Sequence, residues 1–212
     1  PLPPHAQLRD FLPAADHRAL LDWALSREQA FEPARISHQG ASDELKPEMR
    51  IASTSRDFGP LRPMIEARMM DALPDVRARI GSGGPMPGSL ELELAAHGDG
   101  AHFKPHTDTS IGSERKALGA APGEDRLISG VYYFYREPKG FSGGELRLHR
   151  FGVDFDAGEP GPDDYVDVEP ADNSFVVFPS WAPHEVRTVR CPSGRFEDYR
   201  FAVNCWFCGR LG

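Results

Sequence analysis

The feature that most constrains this chain is a change of hydrophobic periodicity close to residue 89. From that point Leu90, Leu92 and Leu94 alternate with charged residues, which is the pattern of a strand with one buried face. Turn-forming clusters then separate further short β-rich runs, with no helical stretch between them. The runs cover residues 127–136, 144–151, 164–169, 173–178, 184–190 and 199–208. Successive strands without intervening helices predict a sandwich or barrel.

The N-terminal part of the chain, residues 1–80, has a largely helical pattern instead. An apolar series that follows Asp16, a side chain suited to an N-cap, predicts one helix. A second series within residues 61–73 predicts another helix, which we expect to end at Pro74 because proline lacks a backbone N–H. A Gly/Pro-rich segment at residues 81–89 interrupts both patterns and marks a linker.

The length of 212 residues suits one domain with a substantial core. We therefore predict a single domain over residues 1–212, with a helical support and linker at 1–88 and a mainly β core at 89–212. No apolar run approaches the roughly 20 residues of a membrane-spanning helix, so no membrane partner is expected. The net charge of −8 argues against a nucleic-acid partner, whose phosphates attract basic surfaces.

Cysteine usage and the N-terminal residues favour a cytoplasmic location. The three cysteines are too few for a disulfide scaffold and fit a reducing compartment. Cys205 and Cys208 form a CxxC in an apolar, strand-like run, without the second pair of a zinc knuckle, so we interpret this motif as incidental. The first residues lack the basic start and apolar segment of a secretory signal.

Three residues have the types and spacing of an iron site. His106 and Asp108 are two positions apart, so an extended chain places both side chains on one face, where they can bind one ion. His184, which lies between two predicted strands, supplies a distant third ligand. Two histidines and a carboxylate form the facial triad of non-haem Fe(II) oxygenases, which leaves coordination positions open.

A basic residue opens the last predicted strand. Arg200 shares one strand face with Ala202, Asn204 and Trp206. Its planar guanidinium could bind a carboxylate through two parallel hydrogen bonds. The order HxD, His and then Arg suits an enzyme that binds 2-oxoglutarate, because the metal takes two oxygens of the keto acid and the arginine takes its far carboxylate.

Four motifs occur together and in a fixed order. They are GDG ahead of HTD (98–108), VYYF (131–134), SGGELR (142–147), and PHEV (183–186) with RFAVNCW (200–206). Through them, residues 89–207 resemble the prolyl-hydroxylase branch of the iron(II)- and 2-oxoglutarate-dependent dioxygenases. The similarity is strongest to the hypoxia-inducible-factor prolyl hydroxylases and their bacterial relatives. This resemblance implies a double-stranded β-helix, or jelly-roll, core supported by N-terminal helices.

The resemblance also implies a role for each matching residue. His106, Asp108 and His184 match the Fe(II) ligands. Arg200 matches the basic residue that binds the far carboxylate of 2-oxoglutarate, and Tyr133 matches a tyrosine whose hydroxyl meets the same carboxylate.

Two further positions and two small molecules complete the implied site. Ser129 and Asn204 would face the pocket of the cosubstrate. O2 is the second cosubstrate, and ascorbate is expected to support turnover. Asp108 favours hydroxylation over halogenation, because a small residue in its place would open a halide site.

The chain departs from the family pattern at three places. The segment between His184 and Arg200 is several residues longer than usual and brings in Arg195 as a rival cation; we prefer Arg200 because it opens a continuous strand. Ala96 stands where relatives have a second pocket tyrosine. The insertion at residues 109–125 is unusually long, and it is either a loop that folds over substrate or a plain surface loop.

The two other histidines near the HxD motif are interpreted differently. His102 and His106 are four apart, as in helical zinc sites, but Pro105 opposes a helix there. We therefore expect His97 and His102 to be loop or strand residues near the mouth of the site rather than metal ligands.

Together these observations predict a dioxygenase that hydroxylates a C–H bond, with succinate and CO2 as coproducts. The preferred substrate is a prolyl residue in a protein or peptide. The alternatives are a small-molecule hydroxylase acting on an amino acid or biosynthetic intermediate, a nucleic-acid demethylase of the same superfamily, and a non-catalytic β-barrel binding module. The acidic net charge disfavours the demethylase, and the complete set of metal and carboxylate ligands disfavours the binding module.

Overall fold

A seven-stranded and a five-stranded antiparallel sheet form the framework of the protein. The computed structural model describes residues 1–36, 44–109, 124–158 and 160–210. In spatial order, the strands of the major sheet are β1 (Ala6–Leu8), β11 (Ser174–Pro179), β7 (Glu124–Phe134), β14 (Arg200–Arg210), β5 (Ser89–His97), β4 (Ser53–Ser55) and β2 (Glu32–Pro33). The long strands β7, β14 and β5 occupy its centre, where their apolar residues are covered on both sides.

The minor sheet has five strands and lies across the core from the major one. Its spatial order is β10 (Tyr165–Val168), β9 (Leu146–His149), β12 (His184–Val186), β6 (His102–His106) and β3 (Arg50–Ile51). A two-stranded ribbon joins β8 (Ser142–Gly143) to β13 (Val189–Arg190). From β5 onward the chain passes repeatedly from one sheet to the other, so the predicted mainly β, jelly-roll core is confirmed.

The helices α1 (Ala14–Leu25) and α2 (Arg62–Arg79) cover the outer face of the major sheet. Strand alternation sends Phe201 and Val203 toward these helices and Ala202 toward the minor sheet. The helices contribute the buried residues Leu20, Ala24, Ile65, Met69, Leu73 and Val76 to this layer. The major sheet is therefore buried on both faces, and the pocket described below lies on the side of the minor sheet.

The N-terminal region is less helical than the sequence predicts. Residues 1–80 contain the two helices but also the short strands β1 to β4, which add to the edges of both sheets. Strands of two or three residues are too short to show a period of two. The prediction of Asp16 as N-cap was also wrong, because α1 begins at Ala14 after Pro13. Asp16 lies in the first turn instead, where its charge favours the positive end of the helix.

The second helix continues past its proline. The prediction that Pro74 ends this helix was wrong, since α2 extends to Arg79. Leu73 and Val76, on either side of Pro74, are both buried in the layer against the major sheet, and we attribute the continuation to this packing. Across the described ranges, neither helix nor any other is long and apolar enough to span a membrane.

Candidate active site

The three predicted metal ligands meet at one end of a pocket on the minor sheet. Strand β12 pairs with β6 so that His184 lies directly opposite His106. Asp108 follows two residues beyond β6, where its backbone N–H donates to the Ser180 carbonyl oxygen at 3.0 Å. One ligand atom from each of the three side chains lies within 4.8 Å of the others. The carboxylate of Asp108 is 3.9 Å from His106 Nε2 and 3.5 Å from His184 Nε2.

Hydrogen bonds on the far side of each ligand fix its orientation. His106 Nδ1 lies 2.8 Å from the Lys104 carbonyl oxygen, and His184 Nδ1 lies 2.9 Å from that of Ala182. A carbonyl can only accept, so each Nδ1 carries a hydrogen, and in the neutral form of each ring Nε2 is the nitrogen with a lone pair for a metal. The Ser129 hydroxyl donates to Asp108 Oδ2 at 2.6 Å. The converging atoms are thus two imidazole nitrogens and a carboxylate oxygen, and these are ligands that fit a divalent cation.

Burial and charge favour the protonation states that a metal requires. Burial, together with the neighbouring His184, lowers the pKa of His106 to about 3, so this imidazole is neutral at physiological pH. Burial disfavours the ionised form of Asp108, but His184 and His106 in their protonated forms, the Arg126 charge and the Ser129 hydrogen bond outweigh it and lower the pKa of Asp108 to about 2. A buried carboxylate beside imidazole lone pairs is an arrangement that a cation stabilises.

The opposite end of the pocket consists of buried hydrogen-bond donors. The Arg200 guanidinium lies 4.7 Å above the Tyr133 ring, and both residues are almost completely buried. Within the described part of the chain, neither Arg200 Nε nor the Tyr133 hydroxyl has a hydrogen-bond partner. Gly144, at φ +74°, makes room for the arginine, because a Cβ there would lie 2.6 Å from Arg200 Cδ. Unpartnered buried donors beside a cation fit an anionic ligand such as a carboxylate.

One pocket contains all seven residues that the sequence singles out. It is partly open to solvent. Those residues are His106, Asp108, Ser129, Tyr133, His184, Arg200 and Asn204. Ser129 binds the Asp108 carboxylate and therefore supports the end of the pocket formed by His106, Asp108 and His184, called the metal end below. The Asn204 amide donates to Glu93 at 3.4 Å.

The rival cation lies outside this pocket. Arg195 has a side chain that is 59% exposed and forms ion pairs with Asp198 and Glu197. It occupies the turn before β14, whereas Arg200 opens that strand and lines the pocket. The longer segment before β14 therefore folds into a surface turn, and Arg200 is the arginine that reaches the site.

Two further basic residues of the pocket, His97 and Arg50, were not assigned a role from the sequence. His97, expected to be a loop or strand residue near the mouth rather than a metal ligand, is the last residue of β5, and its Nδ1 lies 3.0 Å from Arg200 Nη1. Arg50 lies in the short strand β3 and pairs with Glu93 at 2.9 Å. The pairing of β5 with β14 could have indicated His97, because it places the two side chains side by side. Strand β3 is too short for any periodic signal to identify Arg50.

The remaining predictions near the site have simple outcomes. His102 binds the Gly100 carbonyl oxygen at 3.0 Å and is not part of the metal-ligand cluster. Cys205 and Cys208 are buried within β14 and form no disulfide with another described cysteine. Most of the 109–125 insertion, residues 110–123, lies outside the described residues.

Comparison with known proteins agrees with this geometry. A family model described as the 2OG-Fe(II) oxygenase superfamily matches residues 92–208. An uncharacterized PKHD-type hydroxylase of Synechocystis is 30% identical over 202 residues, covering 95% of this chain and 62% of the relative. The chain thus spans less than two thirds of the length of that relative.

Solved structures share the fold over almost the whole chain. A prolyl-4-hydroxylase of Pseudomonas putida has a TM-score of 0.65 at 24% identity, covering 99% of this chain and 94% of the other. A prolyl hydroxylase of Trichoplax adhaerens, solved with a peptide of hypoxia inducible factor, has a TM-score of 0.64 at 17% identity, covering 96% and 82%. At these identities the likeness establishes the architecture.

Proposed function

This chain belongs to the 2OG-Fe(II) oxygenase superfamily, and from that premise we propose that it hydroxylates a prolyl residue in a protein or peptide. One observation carries the proposal: acceptors converge at one end of the pocket and unpartnered buried donors lie at the other. His106, Asp108 and His184 would hold Fe(II) through their free lone pairs. When bound, Fe(II) with 2-oxoglutarate and O2 supplies the C–H hydroxylation, with succinate and CO2 as coproducts.

The opposite end of the pocket, formed by Arg200 and Tyr133 and called the carboxylate end below, would orient 2-oxoglutarate. Arg200 and Tyr133 have free donors for the far carboxylate, and their burial excludes the water that would weaken these bonds. Ser129 holds the Asp108 carboxylate through its hydroxyl, so it acts on the metal end rather than on 2-oxoglutarate. Asn204 lines the same pocket, and its amide donates to Glu93.

A second guanidinium in the pocket supports an amide-containing substrate. Arg50 is already charge-compensated by Glu93, yet its Nε is buried with no hydrogen-bond partner in the described ranges. Such a donor suits a neutral acceptor, for example a peptide carbonyl, better than a second carboxylate. Trp206 adds an aromatic surface to the pocket and is held in place by Arg126, whose guanidinium lies 3.8 Å above its ring. A prolyl residue whose carbonyl oxygen accepts from Arg50 Nε and whose ring packs on the Trp206 indole would be recognised by both contacts.

The relatives agree with this substrate class. The Pseudomonas putida and Trichoplax adhaerens proteins are prolyl hydroxylases, and the second was solved with a peptide.

The same pocket also contains the observation that favours the main alternative, a small-molecule hydroxylase. The Arg50–Glu93 pair offers one cation and one anion, which could meet the carboxylate and the amine of a free amino acid.

The deciding experiment is turnover with two sets of substrates. The chain would be incubated with Fe(II), ascorbate and 2-oxoglutarate, and with either proline-containing peptides or free amino acids and related metabolites. We expect peptides to gain the mass of one oxygen atom on a prolyl ring, with one succinate formed per hydroxylation. His184→Ala is the control, because it lacks one metal ligand. Uncoupled succinate from every peptide together with efficient hydroxylation of a metabolite would overturn the peptide assignment, and no 2-oxoglutarate consumption at all would overturn the enzymatic one.

A further inference from the structure

His97 lies beside Arg200 where the first and last long strands of the core meet. It is the last residue of β5 and pairs in register with Arg200, the first residue of β14. Its Nδ1 is 3.0 Å from Arg200 Nη1, and the two residues are 4% and 1% exposed. The contact is therefore buried, and the backbone pairing of two long strands brings its partners together.

The chemistry of the two groups determines which atom carries the hydrogen. A guanidinium has only donors, so His97 Nδ1 must accept and must hold a lone pair. This is the neutral tautomer with its hydrogen on Nε2. Burial, assisted by the charges of Arg200 and Arg50, also lowers the pKa of His97 well below its usual range. Geometry and electrostatics thus agree on a neutral acceptor.

The other well-buried arginines of this region are paired differently. Arg147 donates twice to Asp167, and Arg126 binds Glu91 at 2.6 Å. Arg200, by contrast, has no carboxylate within 4.0 Å in the part of the chain that the structure describes. A carboxylate neighbour would have oriented the guanidinium just as well, but it would also have neutralised it. His97 orients the guanidinium without adding a negative charge beside it.

We propose that His97 is a positioning residue, a neutral acceptor that fixes the Arg200 guanidinium for the far carboxylate of 2-oxoglutarate without compensating its charge. The proposal rests on the proposed role of Arg200 in binding that carboxylate. It assigns His97 no contact with the substrate or the metal. Its effect should therefore appear in cosubstrate affinity rather than in the rate at saturation.

Three substitutions separate the acceptor from the charge. His97→Asn keeps a neutral acceptor close to the position of Nδ1, His97→Phe keeps a flat ring without an acceptor, and His97→Asp keeps the acceptor but adds a negative charge. The dissociation constant of 2-oxoglutarate would be measured by calorimetry on the full chain loaded with Mn(II), where no turnover occurs. Melting temperatures and Mn(II) affinity check that fold and metal end are intact.

We expect His97→Asn to bind 2-oxoglutarate within about threefold of the wild type, and His97→Phe to bind on the order of tenfold more weakly. His97→Asp should be at least as weak as His97→Phe, because its carboxylate pairs with Arg200 and repels the ligand. With Fe(II), excess 2-oxoglutarate should restore kcat in His97→Phe while KM stays raised.

Two results would overturn the proposal: His97→Asp binding as tightly as the wild type, or His97→Asn binding no more tightly than His97→Phe. If His97→Phe does not fold, the Asn and Asp variants, which have the same shape, still decide between a neutral and a charged acceptor. Arg200→Ala is the reference. If it leaves 2-oxoglutarate affinity unchanged, the proposed function fails; if it weakens affinity while every His97 variant binds like the wild type, only this inference fails.

Discussion

The two ends of the pocket differ in the kind of polar group that they present. At the metal end, acceptor atoms of His106, Asp108 and His184 lie within 4.8 Å of one another. At the carboxylate end, Arg200 Nε and the Tyr133 hydroxyl are donors without an acceptor among the described residues. A ligand set that satisfies both ends brings a cation to the first and an anion to the second, which is the combination that Fe(II) and 2-oxoglutarate would supply.

The two ends also differ in how completely the protein holds them. The histidines of the metal end lie on strands β6 and β12 of the minor sheet, and every ligand is oriented by a hydrogen bond on its far side. The carboxylate end lies on β5, β7 and β14 of the major sheet and is oriented through the His97–Arg200 bond. Among the described residues the metal end has no spare ligand, so removal of one ligand should abolish activity, whereas substitutions at the carboxylate end should have graded effects.

Removal of a metal ligand should have the largest effect. His106→Ala or His184→Ala should reduce turnover to the level of a metal-free control and strongly weaken Fe(II) binding, because the described cluster contains three ligands and no fourth. His102→Ala is the matched control, since His102 lies on the same strand but binds the Gly100 carbonyl. Metal titration and succinate formation would be measured. Wild-type metal stoichiometry in either ligand variant would contradict the assignment.

Removal of the buried guanidinium should have the next largest effect. Arg200→Ala would leave the far carboxylate of 2-oxoglutarate without its charged partner, a loss that typically costs about 2–5 kcal/mol. We therefore expect the KM for 2-oxoglutarate to rise by on the order of a hundredfold or more. Arg195→Ala, which removes an exposed arginine from the turn before β14, should leave it unchanged. The reverse pattern would mean that Arg195, and not Arg200, binds the far carboxylate.

The sequence predicts the metal end better than the carboxylate end, for a physical reason. His106 and Asp108 are two positions apart in the chain, so a short extended segment brings them together although Asp108 lies just beyond β6. The His97–Arg200 contact joins residues 103 positions apart and depends on the register between β5 and β14. A single sequence shows which segments are strands but not which of them pair.

The same limit applies to the fold. Strand β5 was predictable because its leucines alternate with glutamates, and β11 and β14 were predictable as continuous apolar runs bounded by turn-forming residues. Strands β2 to β4 have two or three residues and are formed by pairing with longer neighbours, so no local pattern indicates them. Proline disfavours a helix interior, yet Pro74 lies within α2. We attribute this to the burial of Leu73 and Val76 on either side of it.

Tyr133→Phe tests whether substitutions at the carboxylate end have graded effects on the KM for 2-oxoglutarate. The phenol has no partner in the described residues, so its removal costs the protein no internal hydrogen bond. It would remove one bond to a charged ligand, worth roughly 1.5 kcal/mol or more, and the KM for 2-oxoglutarate should rise about tenfold. Steady-state kinetics at saturating Fe(II) would measure this. An effect as large as that of Arg200→Ala would mean that the two donors act as a unit.

Arg50→Gln should affect a different quantity. If Arg50 donates to a carbonyl of the substrate, this change should raise the KM for a prolyl peptide several-fold, a loss of about 1 kcal/mol. The KM for 2-oxoglutarate should stay within about twofold of the wild-type value, because the Arg50 charge is already paired with Glu93. Arg50→Lys, which keeps the charge, is the control. A change confined to 2-oxoglutarate would place Arg50 with the cosubstrate instead.

The smallest expected effect is the pH dependence of stability contributed by His97. Its pKa in the folded protein is depressed, so the unfolded chain binds more protons below pH 6.5 and the free energy of unfolding falls as the pH falls. Between pH 7 and 5.5 one such histidine contributes a loss of up to about 1 kcal/mol. His97→Asn cannot titrate, so its stability should decline less over this range by that amount, while the two proteins should show the same slope above pH 7.5.

His106, whose pKa of about 3 is depressed in the same direction, contributes equally to both proteins and cancels from the difference. Urea unfolding of the metal-free chain, followed by tryptophan fluorescence, would measure it. Parallel declines between pH 7 and 5.5 would show that His97 is not held neutral beside Arg200.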